Sequence, residues 1–440
     1  MAGDIGKAVG GLPDMARKDS SAALRLLAIT PFYAPDLGPS AALYEMLCEE
    51  LVSLGCEVSV ISAVPHYPTG RVAKEFRGRL VQRERRQGVD VTRVWVPSVD
   101  RARLGLRLLA FFCFQTLAAL VGLARRHDVL VISNPAFEVL LPALVLGVLR
   151  RKPMIYSVHE IYPDVGVKLG IFRHHPVIKA LEWMEGLCRR RAGYVRVLSE
   201  GYKRVLESKG IPESKLAVIW DWIDADFVRP LPRRNAFSTQ WGLDSQFVVM
   251  YAGNLGLTQG LEQLVVAARL LEEEPAIRIV LMGDGAAKGS LQQSVERAGL
   301  GNVQFIPFQE RELLPWVLAS ADVSLIMLKT GMGRDSVPSK CYSIMASGRP
   351  IIASVDQGSD TWHMIQQVGC GLCVEPGSPR ALAAAILELF RNDARRARFG
   401  ALGRAYVVER HSKSHAGEEF HRLALALAAK GAAPERLAQG

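Results

Sequence analysis

Lys340 is the cation best placed to do chemistry in this 440-residue chain. It lies within residues 331–354, GMGRDSVPSKCYSIMASGRPIIAS, which reads as a loop, a short helix and a buried strand. Ser336 and Ser339 can cap the helix N-terminus, and Pro338 suits a first turn whose amides lack internal partners. Arg334 is a second cation in the loop. The ammonium and the free amides would then converge on one diphosphate. Gly348 stops the helix, and Ile351, Ile352 and Ala353 form an apolar run suited to a parallel strand covered on both faces. The plainer reading is any loop, helix and strand with a solvated lysine.

Four other segments carry candidate chemistry, each just after an apolar run. PFYAPDLGPSAA places Gly38 ahead of a helix, where a missing side chain lets a phosphate or sugar approach the backbone. HEIYPD holds His159, Glu160 and Asp164, a dense titratable cluster suited to holding hydroxyls and managing a proton. A hydrogen-bonded structural histidine is the competing reading of His159. AGNLGLTQGLE carries Gly253, Gly256 and Gly260, whose amides could wrap a phosphate, although the spacing is not GxGxxG. The GDG of Gly283, Asp284 and Gly285 suits a ribose or base, or else a tight turn.

The elements that must position these loops alternate between strand and helix, twice over. Strands are expected at 24–30, 57–62, 128–133, 154–158, 194–198 and 216–219, separated by helices at 39–54, 136–149, 175–191 and 200–209 and an Arg-rich hairpin near 79–96. This is the pattern of a doubly wound parallel sheet. Residues 220–235, WDWIDADFVRPLPRRN, are rich in Pro and charge and lack periodicity, so they read as a linker. The pattern restarts with strands at 247–252 and 277–282 around a helix at 261–272. Ligands in such sheets bind beyond the carboxyl ends of the strands, where the five segments fall.

Composition sets the limits. The length suggests two domains of roughly 200 residues each, and an apolar share of 49% fills both. Seven scattered cysteines give no disulfide framework and suit a reducing compartment. Cys370 and Cys373 form a lone CxxC without a second pair or a nearby histidine, so no metal site is expected. Residues 1–22 lack an apolar core and are expected to be a disordered tail, neither signal peptide nor anchor.

The net charge of +10 is concentrated. Residues 71–126 hold thirteen Arg or Lys against four acids. Within them 104–124, LGLRLLAFFCFQTLAALVGLA, approaches the length of a membrane span but carries Arg107 and Gln115. A transmembrane helix, a buried core helix and an interfacial helix lying on anionic lipid all remain open, with the interfacial form favoured. The basic cluster has no interleaved aromatics or helix-turn-helix, finger or RNA-binding signature, so nucleic acid is not expected as a partner.

YAGNLGLTQGLE, VPSKCYSIMASGRPIIAS, TPFYAPDLGPSA and VGCGLCVEPGSPRAL together resemble glycosyltransferase family 4, in the branch that builds bacterial O-antigen, capsule and colanic-acid-like polysaccharides. The resemblance covers about residues 24–425. It implies the GT-B fold, two Rossmann-like domains facing across a cleft: an acceptor-binding domain over 23–219 and a nucleotide-sugar-binding domain over 236–410. A helix at 411–430 would return to the first domain, with 431–440 as a tail. It further implies a retaining, metal-free hexosyl- or N-acetylhexosaminyl-transferase using a nucleotide diphosphate sugar, with UDP the expected carrier. The acceptor would be a lipid-linked diphosphate saccharide at the inner face of the cytoplasmic membrane.

By position, Gly38 would sit against the donor diphosphate and His159 against the transferred sugar, with Glu160, Asp164 and Lys340 completing the catalytic set. Asn254 and Gln259 stand where many members have Arg and Lys, and Asp335 and Ser343 stand where they have paired glutamates eight positions apart. Charge neutralisation would therefore fall on Lys340, helped by Arg334. Two alternatives from other classes are a nucleotide-sugar epimerase of the same fold and an inactive membrane-bound scaffold.

Overall fold

The computed structural model describes residues 23–432 except 37, 39, 68, 100–103, 169 and 333–337. Arg334, Asp335, Ser336 and the tails at 1–22 and 433–440 lie outside the described residues.

The first half builds β1 (Arg25–Ile29), α1 (Ala41–Ser53), β2 (Glu57–Ala63), β3 (Val81–Arg86), β4 (Val89–Val94), α2 (Leu104–Leu123), β5 (Val129–Ser133) and α3 (Ala136–Pro142). It continues with β6 (Met154–Val158), α4 (Asp164–Lys168), α5 (His175–Arg191), β7 (Tyr194–Val197), α6 (Glu200–Ser208) and β8 (Leu216–Val218). The second half builds α7 (Ala236–Gln240), β9 (Phe247–Ala252), α8 (Glu262–Leu270), β10 (Ile277–Met282), α9 (Lys288–Ala298), β11 (Val303–Ile306), α10 (Leu314–Ala319) and β12 (Val323–Met327). After these come α11 (Lys340–Ala346), β13 (Ile351–Ser354), α12 (Asp360–Val368), β14 (Gly371–Val374), α13 (Pro379–Phe390), α14 (Asp393–Arg410) and α15 (Lys413–Ala432).

Two sheets result. The first has eight strands in the order β3-β4-β2-β1-β5-β6-β7-β8, parallel except for β3 at the edge. The second has six parallel strands in the order β11-β10-β9-β12-β13-β14. Helices on both faces explain why the central strands are mostly apolar: every residue of β5, β6, β12 and β13 is buried, the one serine in each included. The chain order reverses between β1 and β5 and again between β9 and β12, so crevices open beyond the carboxyl ends of those strands.

Two helices depart from simple layering. The last, α15, packs against α1 and places Phe420, Leu423 and Leu427 in the core of the first sheet. The other is α2. It sits on α3 and the outer strands and buries Ala110, Phe114 and Ala118, while Leu108, Leu109, Phe112 and Leu120 remain exposed. Both of its faces are largely apolar, and among the described residues only one has a protein partner. Gln115 is the clamp: its Nε2 donates to the Phe137 carbonyl at 2.9 Å, and its Oε1 accepts from the Leu141 amide at 3.0 Å.

Candidate functional site

At the crevice of the first sheet, the loops after β1, β5 and β6 enclose a cavity of about 470 Å³ that Ser339 of the second half also lines. His159 and Glu160 line it; Asp164 does not. Asp164 instead opens α4 and accepts from Lys209 Nζ at 3.0 Å. The HEIYPD cluster is therefore split by the turn into two residues at the cavity and one in a surface ion pair.

Asn134 fixes that turn. Its Oδ1 accepts from the His159 amide at 2.8 Å and its Nδ2 donates to the Glu160 carbonyl, tying the loop after β5 to the loop after β6. Behind His159 lies Arg196 of β7, fully buried, which donates to Asp221 at 2.8 Å and to the Ile219 carbonyl at 2.6 Å. Its remaining nitrogen is 3.4 Å from His159 Nδ1. A guanidinium can only donate, so Nδ1 accepts and the imidazole proton belongs on Nε2. Burial first, and then the Arg196 charge, pull the His159 pKa down to about 4, against a partial opposing pull from Asp221. The ring is therefore neutral at pH 7 and can donate one hydrogen bond without carrying charge. Glu160 has exposed surface, yet crowding by its neighbours raises its pKa, with Tyr162 as its hydrogen-bond partner opposing the rise.

Arg196 and Asp221 are site residues that the sequence reading missed. The available signal was an arginine inside an otherwise apolar strand, YVRV, which has to be paired when buried. Asp221 lay hidden in the stretch assigned as linker.

Gly38 is held tightly inside its own loop. Its amide donates to the buried Asp36 carboxylate at 2.9 Å, and an added Cβ would fall 2.2 Å from the Phe32 ring. Close packing inside its own loop demands the glycine, and its amide is already occupied.

In the second half a smaller cavity, about 240 Å³, is lined by Gly253, Lys340 and Ser343 on one side and by residues 308–311 and Leu314 on the other. Lys340 Nζ donates to the Tyr251 hydroxyl at 2.5 Å and sits 3.8 Å from that ring's centroid. Tyr251 in turn donates to the Asn254 carbonyl at 2.8 Å. Among the described residues no carboxylate pairs with Lys340, and burial lowers its pKa to about 8. Gly253 permits the approach, since a Cβ there would lie 3.0 Å from the ammonium.

The helix start is less open than the sequence suggested. Ser339 occupies the cap position without a side-chain cap bond, and the Cys341 and Tyr342 amides donate to the Pro338 and Ser339 carbonyls at 3.0 and 3.2 Å. The tight first turn uses up amides that were expected to be free. Ser343 Oγ donates to the Lys340 carbonyl at 3.0 Å but still borders the cavity.

The glycines of the two turns interlock. A Cβ on Gly283 would lie 2.0 Å from the Gly253 carbonyl oxygen, and one on Gly285 would lie 2.5 Å from the Leu255 carbonyl oxygen. Asp284 points outward, accepting from its neighbour Gly285 and facing Lys288 at 3.7 Å. Gly283, Asp284 and Gly285 thus shape the turn after β9 and do not line the cavity. Asn254 and Gln259 flank Gly256, whose Cβ would meet both side chains. Residues 308–311, which close the other side, carried no sequence signal beyond following a strand. Cys370 and Cys373 are free thiols contacting Met345 and the Trp362 carbonyl.

Comparison with known proteins accounts for both halves. Residues 38–222 match the glycosyl transferase 4-like domain and residues 234–406 match the glycosyl transferases group 1 family. The putative colanic acid biosynthesis glycosyl transferase WcaI of Escherichia coli is 25% identical over 369 residues, covering 81% of this chain and 89% of that one. The probable glycosyltransferase WbjE of Pseudomonas aeruginosa is 27% identical over 332 residues, covering 74% and 81%. In fold, Anabaena Alr3699/HepE in complex with UDP superposes with a TM-score of 0.68 at 17% identity, covering 91% of this chain and 99% of that one. WaaG, a glycosyltransferase involved in lipopolysaccharide biosynthesis, superposes at 0.62 with 13% identity, covering 89% and 98%. With a family domain matched on each of the two sheets, this chain is a glycosyltransferase of family 4 built on the GT-B fold.

Proposed function

We propose that this enzyme moves a sugar from a UDP-sugar to a lipid-linked diphosphate saccharide during bacterial surface polysaccharide synthesis. The observation that carries the proposal is the division made at the start of α11: Ser339 faces the His159 cavity, while Lys340 faces the Gly253 cavity. A donor spanning this boundary places its nucleotide in the second half and its sugar beside His159. Solved neighbours of the same fold hold UDP or UDP-glucose, and one relative is named a putative colanic acid biosynthesis glycosyl transferase, which favours UDP and a polysaccharide product.

Lys340 would meet the leaving diphosphate, which gains negative charge as the sugar departs. Preorganised donors at such a point contribute about 3 kcal/mol each. The neutral His159 would donate from Nε2 to a sugar hydroxyl. The nearby Asp221 is committed to Arg196, which makes it a poor nucleophile. We therefore assign a retaining, front-face reaction. The acceptor oxygen bonds to the anomeric carbon, the bond from that carbon to the phosphate oxygen breaks, and the departing oxygen takes the acceptor's proton. Protein cations would neutralise the diphosphate in place of a metal. The exposed apolar face of α2 and the surplus of basic residues at 71–126 support peripheral binding on the inner face of the cytoplasmic membrane.

A thermal-shift screen of nucleotide sugars followed by transfer to membrane lipid extract tests this reading. A UDP-sugar should raise the melting temperature, because it binds only the folded state, and UDP should be released only when acceptor is present. Release with no acceptor dependence, or stabilisation by no nucleotide sugar, would refute it.

A further inference from the structure

The His159 cavity has a second wall that the transfer chemistry leaves unused. Phe111 of α2, Phe137 of α3, Tyr162 and Phe172 form a ladder of rings with centroid separations of 5.6, 5.9 and 6.4 Å. The first three line the cavity; Phe172 lies beyond it, beside Ile171, which is 66% exposed. α2 also exposes Phe112 by 64% and Leu108 by 52%, the latter one turn before Phe111 on the helix. The aromatic wall thus runs continuously from the cavity onto an apolar surface.

Arg107 stands where the two meet. It lines the cavity, its guanidinium lies 6.0 Å from the Phe111 ring, and its buried Nε has no hydrogen-bond partner among the described residues. Glu138 and Glu160 line the same cavity, yet among the described residues no carboxylate comes within ion-pairing distance of Arg107. The buried arginines nearby behave differently: Arg93 is paired with Glu84 and Arg196 with Asp221. A guanidinium with no acidic partner among the described residues, bordering a cavity beside an aromatic ring, matches an anion joined directly to an apolar chain.

We infer that Arg107 binds the diphosphate of the acceptor, with the ring ladder holding the first units of its single prenyl chain and the exposed face of α2 leading that chain toward the bilayer. The inference rests on the acceptor class proposed above. It commits to one occupant, a prenyl diphosphate, rather than free diphosphate or bulk anionic phospholipid.

Binding of farnesyl diphosphate, farnesol and inorganic diphosphate to the full-length protein tests it without needing the donor. Farnesyl diphosphate should bind at least tenfold tighter than either half. Arg107→Gln and Phe111→Ala should each remove about tenfold of that affinity, and Arg107→Lys should restore part of it, which separates loss of charge from loss of folding. The inference is overturned if inorganic diphosphate binds as tightly as farnesyl diphosphate, or if Arg107→Gln leaves farnesyl diphosphate binding unchanged. It also falls if Arg107→Gln abolishes sedimentation with phosphatidylglycerol vesicles while farnesyl diphosphate still binds normally, since Arg107 would then be a bulk-lipid contact. Farnesyl diphosphate binding without sugar transfer under any donor would leave this site standing and remove the transfer reading instead.

Discussion

The surroundings of His159 and of Lys340 treat charge in opposite ways. Beside His159 the buried cation is already answered: Arg196 spends its donors on Asp221 and a backbone carbonyl, and the histidine is held neutral. Beside Gly253 the buried cation is unanswered by any acid among the described residues, and Lys340 rests on a phenol and a ring face. A paired interior charge resists change and keeps geometry, whereas an unpaired one is costly until an anion arrives. The His159 end of the first cavity is therefore organised to orient a neutral, hydroxyl-rich group, apart from Arg107 on the α2 side. The second is organised to gain most when a phosphate enters.

Replacing Lys340 should break this contrast most severely. Lys340→Ala is expected to lower kcat/KM by 10²- to 10³-fold, as for loss of a preorganised donor to a leaving group, while its melting temperature stays near that of the native enzyme. Steady-state transfer assays and calorimetry read both, and turnover within a few fold of native would remove Lys340 from the mechanism.

Asp221→Asn should do the reverse, costing stability first. It leaves Arg196 buried without its counter-charge, and breaking such a pair costs about 3 kcal/mol. Denaturant unfolding would register this as a lower midpoint with an unchanged slope. An unaltered midpoint would mean that the pair does not hold the first cavity.

Acid should sharpen the comparison. His159 and His411 both have pKa values lowered from 6.5 to about 4, chiefly by burial. Between those values the unfolded chain takes up protons that the folded chain refuses, so stability is full above about pH 6.5 and declines as the pH falls toward 4. Lys340 titrates at the other end: above about pH 8 the free enzyme loses its ammonium, so donor affinity should fall and binding should take up a proton. Calorimetric titration in buffers of different ionisation enthalpy would detect that uptake.

The smallest effect is expected at Asp164. Its pair with Lys209 is partly solvated and stands outside both cavities, so Asp164→Asn should cost under about 1 kcal/mol and leave transfer within about twofold. A hundredfold loss would return Asp164 to the reacting centre.

The strands were legible because burial on both faces leaves long apolar runs; the expected 154–158, 247–252 and 277–282 coincide with β6, β9 and β10. The loops after them were legible for the same reason, since topology fixes where crevices open. Side-chain partnerships were not. Arg196 and Asp221 are 25 positions apart and meet only because β7 ends beside the crossing between the two halves. At Gly38 the residue type signals close approach without naming what approaches, and the Phe32 ring was not legible as the neighbour. For α2 the composition was apolar all round, and nothing in such a helix tells which face the protein covers.

The return of α15 to the first sheet has a consequence for synthesis. Phe420, Leu423 and Leu427 complete the layer over α1, so the half translated first is finished only by residues translated after the second sheet. Each of those side chains contributes about 2 kcal/mol when buried. On the ribosome the nascent first half must wait, with an open apolar flank, until the second half has emerged. Holding a chaperone over that flank, or lengthening the wait with a downstream stall, would alter the yield of active enzyme without touching a single residue of either cavity.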